Sequence, residues 1–144
     1  MQHETDEFFA DWELDEGDPF EDRNGPIYRR RHAQGHWQCG FRVAEKHCNG
    51  GGIAHGGMLM LFADNALFTI ARDRLNSMGL TLSLHSDFTT PVGVGEVVLA
   101  DGDVTHETGR MLFVRGRLYT DKATVMSFSG IIRRLRRPVT TDSE

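Results

Sequence analysis

Residues 55 to 74, wound as a helix, are apolar on nearly every side. Met58, Leu59, Met60, Leu61, Phe62, Ala63, Ala66, Leu67, Phe68, Ile70 and Ala71 leave almost no face for water. Such a helix has to be enclosed by the rest of its own domain. A bilayer could enclose it too, but Ile53 to Ala71 contains His55, Asp64 and Asn65. A span needs ~20 apolar residues with few polar interruptions, so a membrane span is excluded. The chain has 144 residues, enough for one domain that wraps one helix.

The wrapping elements show a period of two. In Leu80 to Thr89, Leu80, Leu82, Leu84 and Phe88 alternate with Thr81, Ser83, His85, Asp87 and Thr89. That alternation predicts a half-buried strand with its leucines facing inward. Pro91, Gly93 and Gly95 then turn the chain. Further strands are predicted at 96–107, 111–120 and 123–135, with hairpin turns at Thr108-Gly109 and Asp121-Lys122. Two short strands, 27–31 and 36–43, precede the helix, and a Gly-rich loop, Asn49 to Gly52, leads into it. Two strands, a buried helix and four strands satisfy one α+β architecture, an antiparallel sheet curled round a single helix.

The first 22 residues carry ten of the 21 acids and no Lys or Arg. The remainder therefore holds all 16 Lys and Arg, although the whole chain is at −5. A basic body suits a polyanionic ligand, while the acidic balance of the whole argues against nucleic acid. Within the acidic segment, Phe8, Phe9, Trp12 and Leu14 suggest an amphipathic helix over 4–14, and 15–26 reads as a linker. The organisation expected is an acidic extension 1–25, a domain 26–137 and a tail 138–144. No basic start with an apolar run signals export, so Cys39 and Cys48 are expected as free thiols in a cytoplasmic protein.

Asp64 is the sharpest candidate for chemistry, set against a purely structural capping or salt-bridged role. It is the only acid between Lys46 and Asp73, and no Lys or Arg lies three or four residues away on the helix. A carboxylate in that position is costly unless it is hydrogen-bonded or functional. At the helix start, His55-Gly56-Gly57 exposes backbone N–H groups where the helix dipole favours developing negative charge. Gly57, Leu61, Asp64 and Phe68 share one helix face, which places the acid about two turns from that start. His32, His36, His47, Cys48 and His55 form no zinc spacing, and no metal or other cofactor is expected. No G-x-S-x-G elbow occurs, and neither cysteine has an evident base.

Residues 47–65, HCNGGGIAHGGMLMLFADN, resemble the loop-and-helix motif of hotdog-fold thioesterases of the phenylacetate-degradation type. The matching positions are His47, Asn49, Gly52, His55, Gly56, Gly57, Asp64 and Asn65. Residues 81–91, TLSLHSDFTTP, the Gly95 turn and the Gly109-Arg110 hairpin extend the resemblance over about 36–135. It implies a hydrolase of acyl-CoA thioesters acting on a medium-chain, long-chain or aryl acyl group. Asn49 and the Gly56 N–H would polarise the thioester carbonyl. Asp64 would activate water or attack directly. Thr81, from the neighbouring subunit, would help hold the water, and His55 would shape the oxyanion region. Gly57, Asn65, Phe68 and Ser83 would line the substrate site. The resemblance also implies homodimers formed edge to edge, usually paired into tetramers, with the site at the dimer interface. Met60, Phe62, Phe68 and Phe88 suggest the apolar lining of an acyl pocket. The alternatives are a hydratase or dehydratase of the same fold, and a non-catalytic acyl-CoA sensor.

Overall fold

The computed structural model describes residues 6–135. The expected tail 138–144, the first five residues of the extension, and Arg136 and Arg137 lie outside them. Seven antiparallel strands form one sheet: β1 (Glu13–Asp15), β2 (Ile27–Arg31), β3 (Trp37–Arg42), β4 (Gly79–Phe88), β5 (Val97–Glu107), β6 (Met111–Tyr119) and β7 (Thr124–Arg134). Their order across the sheet is β1-β2-β3-β5-β6-β7-β4. Both β1 and β4 therefore end the sheet with an unpaired side. The long helix α2 (Gly56–Ile70) touches β3, β4, β5, β6 and β7, so the sheet wraps it as the apolar pattern requires. Phe62, Ala63, Ala66 and Leu67 of α2 have no exposed surface, and Phe62 meets Phe41 of β3 edge to face at 4.7 Å. Close approach of helix to sheet depends on Gly130 of β7. A Cβ there would stand 2.6 Å from Leu67 Cδ1.

Four expectations are corrected. The helix expected over 55–74 ends at Ile70, and a separate turn of helix, α3 (Arg72–Leu75), follows after Ala71 leaves helical geometry. The amphipathic helix expected over 4–14 is a 3-10 turn at Glu7–Phe9 followed by β1. Phe9 is buried, stacked on Tyr28 at 4.3 Å over Gly40 of the sheet. The linker 15–26 contains a helix, α1 (Pro19–Asn24), whose N-cap Asp18 accepts from the Phe20 and Glu21 N–H groups. Asp followed by Pro is a helix-start signature as much as a turn signature, and here the helix won.

The fourth correction concerns β4. Leu80 and Leu82 are 55% and 52% exposed, while Thr81 faces α2. A bulge between Thr81 and Ser83 shifts the register. Past it, Leu84 packs on the core and Ser86 meets Met60 of α2. The expected apolar face is thereby split, two leucines pointing away from the helix and one toward it.

Candidate active site

Two clusters lie along α2. The first is built at its start. Asn49 Oδ1 accepts from the N–H groups of Gly51 and Ile53, and Asn49 N–H donates to the Ile53 carbonyl. Gly52, at φ +80, closes this tight loop. The loop fixes the oxygen end of the Asn49 side chain, and its Nδ2 group makes no hydrogen bond among the described residues. His55 is the helix N-cap, and its Nδ1 accepts from the Gly57 N–H at 2.8 Å. The Gly57 N–H is thus occupied, and the Gly56 N–H, at the first helical position, has no acceptor among the described residues. The Phe88 ring borders this point, 3.5 Å from where a Gly56 Cβ would stand.

His47 pins the loop from behind. Its Nδ1 accepts from the Ala44 N–H at 2.9 Å, and its Nε2–H donates to the Asn24 carbonyl at 2.6 Å. Burial pushes its pKa below the ordinary histidine value, which keeps the ring neutral for this double role. The His47 carbonyl in turn accepts from the His55 N–H. The end of α1, the Asn49 loop and the helix start are one hydrogen-bonded unit.

The second cluster lies two turns further on. Asp64 is half-buried, and its Oδ1 accepts from Thr81 Oγ1 at 2.5 Å. The resemblance implied a Thr81 supplied by the neighbouring subunit; here the two residues belong to one chain. Asp64, Thr81, Asn65, Phe68 and Met78 line a cavity of about 1030 Å³. Asn65 is buried and donates from Nδ2 to Asp15 Oδ2 at 2.9 Å. Ser83 is half-buried beyond the bulge and does not reach this cavity. Phe62 is core, whereas Phe88 stands 55% exposed beside Gly56. Asp15, Asp18 and Glu21, from the segment read as extension and linker, also line the cavity. Only the Asp18-Pro19 cap signature could have drawn attention to them.

Asp64 lies eight positions beyond Gly56 on the helix, about 12 Å along the axis. Asn49, His55, Gly56 and Gly57 therefore stay together at one end, and Asp64, Asn65, Phe68 and Thr81 at the other. Among the described residues no group of three or more His, Cys, Asp or Glu is arranged to hold a metal ion, and no helix is long and apolar enough to cross a membrane.

The sequence profile of the Thioesterase superfamily matches residues 51–127, which contain the start of α2, Asp64 and Thr81. The chain belongs to this superfamily. A Pseudomonas aeruginosa protein named as an esterase, PA0474, is 35% identical to this thioesterase-superfamily chain over 116 residues, covering 78% of it and 86% of the relative. A mutant of the phenylacetic acid degradation protein PaaI from Thermus thermophilus superposes with a TM-score of 0.72 at 28% identity, over 82% of this chain and all of its own. The BH2602 protein from Bacillus halodurans, whose structure contains CoA, superposes with a TM-score of 0.69 at 22% identity, over 76% of this chain and 74% of its own. Membership of the superfamily and the likeness to PA0474 support a hydrolase, and the structural likenesses place the chain in the hotdog fold.

Proposed function

We propose that this protein is an acyl-CoA thioesterase of the phenylacetate-degradation type, with Asp64 as its catalytic carboxylate. The observation that carries the reading is Asp64 itself. It is a half-buried carboxylate in the most apolar element of the fold, held by Thr81 on the wall of a large cavity. In the proposed reaction the thioester carbonyl oxygen accepts from the Gly56 N–H and Asn49 Nδ2. Asp64 takes a proton from the attacking water, and the tetrahedral oxyanion is stabilised at the start of the helix dipole. Its collapse breaks the C–S bond and releases the acid and the CoA thiolate, which is protonated by solvent. No metal or cofactor has a part in these steps.

One carbonyl cannot touch both Gly56 and Asp64 across about 12 Å of the same helix. A working site therefore combines the helix start of one copy with Asp64 and Thr81 of another. The surface of β4 supports that pairing. It is a ten-residue strand at the sheet edge, and Met78, Leu80 and Leu82 beside it are 75%, 55% and 52% exposed. An open apolar edge is a template for a second sheet. Pairing two β4 edges would bury those side chains in a homodimer, which can pair again into a tetramer.

The ligand class is supported by a second cleft of about 670 Å³, where Leu80 and Leu82 meet Arg110 and Arg133. Neither arginine has an ion-pair partner among the described residues, which supports a role for both in binding the CoA phosphates. Arg134 is different, since it is spent on the Leu75, Thr108 and Arg74 carbonyls and on Glu107. Replacing Arg110 and Arg133 together by Ala is expected to raise KM for an acyl-CoA about tenfold, from two exposed contacts of about 0.7 kcal/mol each. KM for the corresponding N-acetylcysteamine thioester, which lacks the phosphates, stays unchanged.

The direct test is thiol release from short, medium, long and aryl acyl-CoAs by the wild-type protein. Turnover on any of them supports the reading, and the order of rates gives the acyl preference. Tight binding of every CoA ester with no thiol release would replace it by the sensor reading. Hydration of an enoyl-CoA would replace it by a hydratase.

A further inference from the structure

α1 ends in two carbonyls that its own turns cannot satisfy, those of Arg23 and Asn24. One neighbour takes both, the 3-10 turn Glu45–His47. Lys46 Nζ donates to the Arg23 carbonyl at 3.3 Å, and His47 Nε2–H donates to the Asn24 carbonyl at 2.6 Å. Basic side chains suit a helix C-terminus, but these two differ in kind. Lys46 is exposed, whereas His47 is 4% exposed and stands edge-on to Phe41 of the core at 5.2 Å. The acidic segment is also held just upstream of α1. There Asp15 accepts from Asn65 Nδ2 and pairs with Arg29, both at 2.9 Å.

Each bond of the His47 ring fixes the other. A carbonyl can only accept, so Nε2 carries the proton. Nδ1 then keeps its lone pair and can only accept, as it does from the Ala44 N–H at 2.9 Å. The backbone of the same residue carries the tie onward. The His47 carbonyl accepts from the His55 N–H at 2.7 Å, and His55 is the N-cap whose ring takes the Gly57 N–H. The Cys48–Ala54 bridge and the bond from Asn49 N–H to the Ile53 carbonyl close the loop in between. Residues 47 and 55 are thus the two feet of the Asn49 loop, and the ring of residue 47 anchors them.

We propose that His47 is a positioning residue through which the end of α1 holds Asn49 and Gly56 in fixed relation to each other. The acidic N-terminal segment thereby becomes part of the oxyanion machinery, although it touches no reacting atom. The clamp is independent of the reaction, and its kinetic effect rests on the proposed thioesterase reading.

Two amides dissect the ring in the full-length protein. Asn offers an oxygen near the Nδ1 position, so His47→Asn keeps the bond from Ala44 and cuts the tie to α1. Gln offers an N–H near the Nε2 position, so His47→Gln keeps the tie to α1. His47→Asn is expected to lower kcat about tenfold, within the 10²-fold that about 1 Å of misplacement costs. KM should change little, because the donors act on the transition state. His47→Gln is expected to restore most of the lost kcat. Amide hydrogen exchange reads the clamp without turnover: the Asn49 and His55 N–H groups should exchange about tenfold or more faster in His47→Asn than in wild type, with the Phe62 to Leu67 amides unchanged. Unchanged exchange in a folded His47→Asn overturns the clamp whatever the activity. Faster exchange at wild-type kcat overturns the positioning role, as does a His47→Gln protein that cannot fold. Faster exchange with no thioester turnover even in wild type supports the clamp and removes the reaction instead. Should His47→Asn not fold, the wild type decides: the His47 Nε2–H and the Asn49 and His55 N–H groups are expected to open together with one protection factor. Loop amides that exchange freely beside a protected ring N–H overturn the clamp.

Discussion

Asp64→Asn is expected to lower kcat for acyl-CoA hydrolysis about a thousandfold, within the range that one general base contributes. The change is nearly isosteric and keeps an oxygen to accept from Thr81 Oγ1, so the 2.5 Å contact to β4 is retained. What is lost is the basicity. The fold should not suffer, because α2 owes its place to Phe62, Ala63, Ala66 and Leu67, all wholly buried. Circular dichroism and size-exclusion profiles should therefore match the wild type while thiol release collapses. KM should change little, since neither the Gly56 N–H nor the arginine cleft is touched. A folded, oligomeric Asp64→Asn protein that retained wild-type turnover would remove Asp64 from the chemistry. Single turnover in ¹⁸O-water tests for the nucleophilic role in wild type: label in the Asp64 carboxylate requires an acyl anhydride opened by water at its Asp64 carbonyl, whereas direct attack by water labels only the product acid.

Much of this site was legible before any coordinates, and the reasons differ between residues. Asp64 stood out because a lone acid in an all-apolar helix violates the burial rule and calls for a reason. The start of α2 was legible because His55-Gly56-Gly57 follows a glycine loop, although the occupant of the Gly57 N–H, the ring of His55, was not. The hairpins of β5, β6 and β7 were announced by Thr108-Gly109 and Asp121-Lys122, and the strands lie where those turns put them.

The orientation of β4 was not legible. Alternation says which residues share a face but not which face meets the helix, and the usual preference puts leucines inside. In β4 the preference fails at an open edge of the sheet, where Leu80 and Leu82 are covered by none of the described residues. The bulge at Thr81/Ser83 then breaks the alternation that the sequence displays. The acidic segment was misread for a different reason. Its Gly, Pro and acids look like a solvated linker, yet Phe9 is buried over the sheet and Asp15, Asp18 and Glu21 reach the cavity. Short elements of three to six residues have too little periodicity to register, and only their caps betray them.

The proposed division of the site between two copies predicts that two dead proteins will repair each other. Gly56→Pro deletes one hydrogen-bond donor with little other disturbance. Gly56 is the first helical residue, where proline is well tolerated, and His55 before it has the extended φ and ψ of −61° and 136° that a following proline prefers. A Cβ at position 56 meets only the Phe88 ring at ordinary contact distance. Losing this oxyanion donor is expected to lower kcat about 10²- to 10³-fold. Now let Gly56→Pro and Asp64→Asn proteins exchange subunits. If each site takes Gly56 from one chain and Asp64 from the other, every hybrid dimer has one doubly damaged site and one intact site. Random exchange makes half the dimers hybrid, so activity should return to about a quarter of wild type. If Gly56 and Asp64 of the same chain worked together, every site in the hybrid would carry one lesion, and mixing would restore nothing. Asn49→Ala serves as the alternative donor lesion if proline perturbs α2, and the same quarter is expected. Adding Leu82→Arg to both partners should abolish the recovery, because a charge on the exposed face of β4 opposes the edge-to-edge pairing that brings the two halves of the site together.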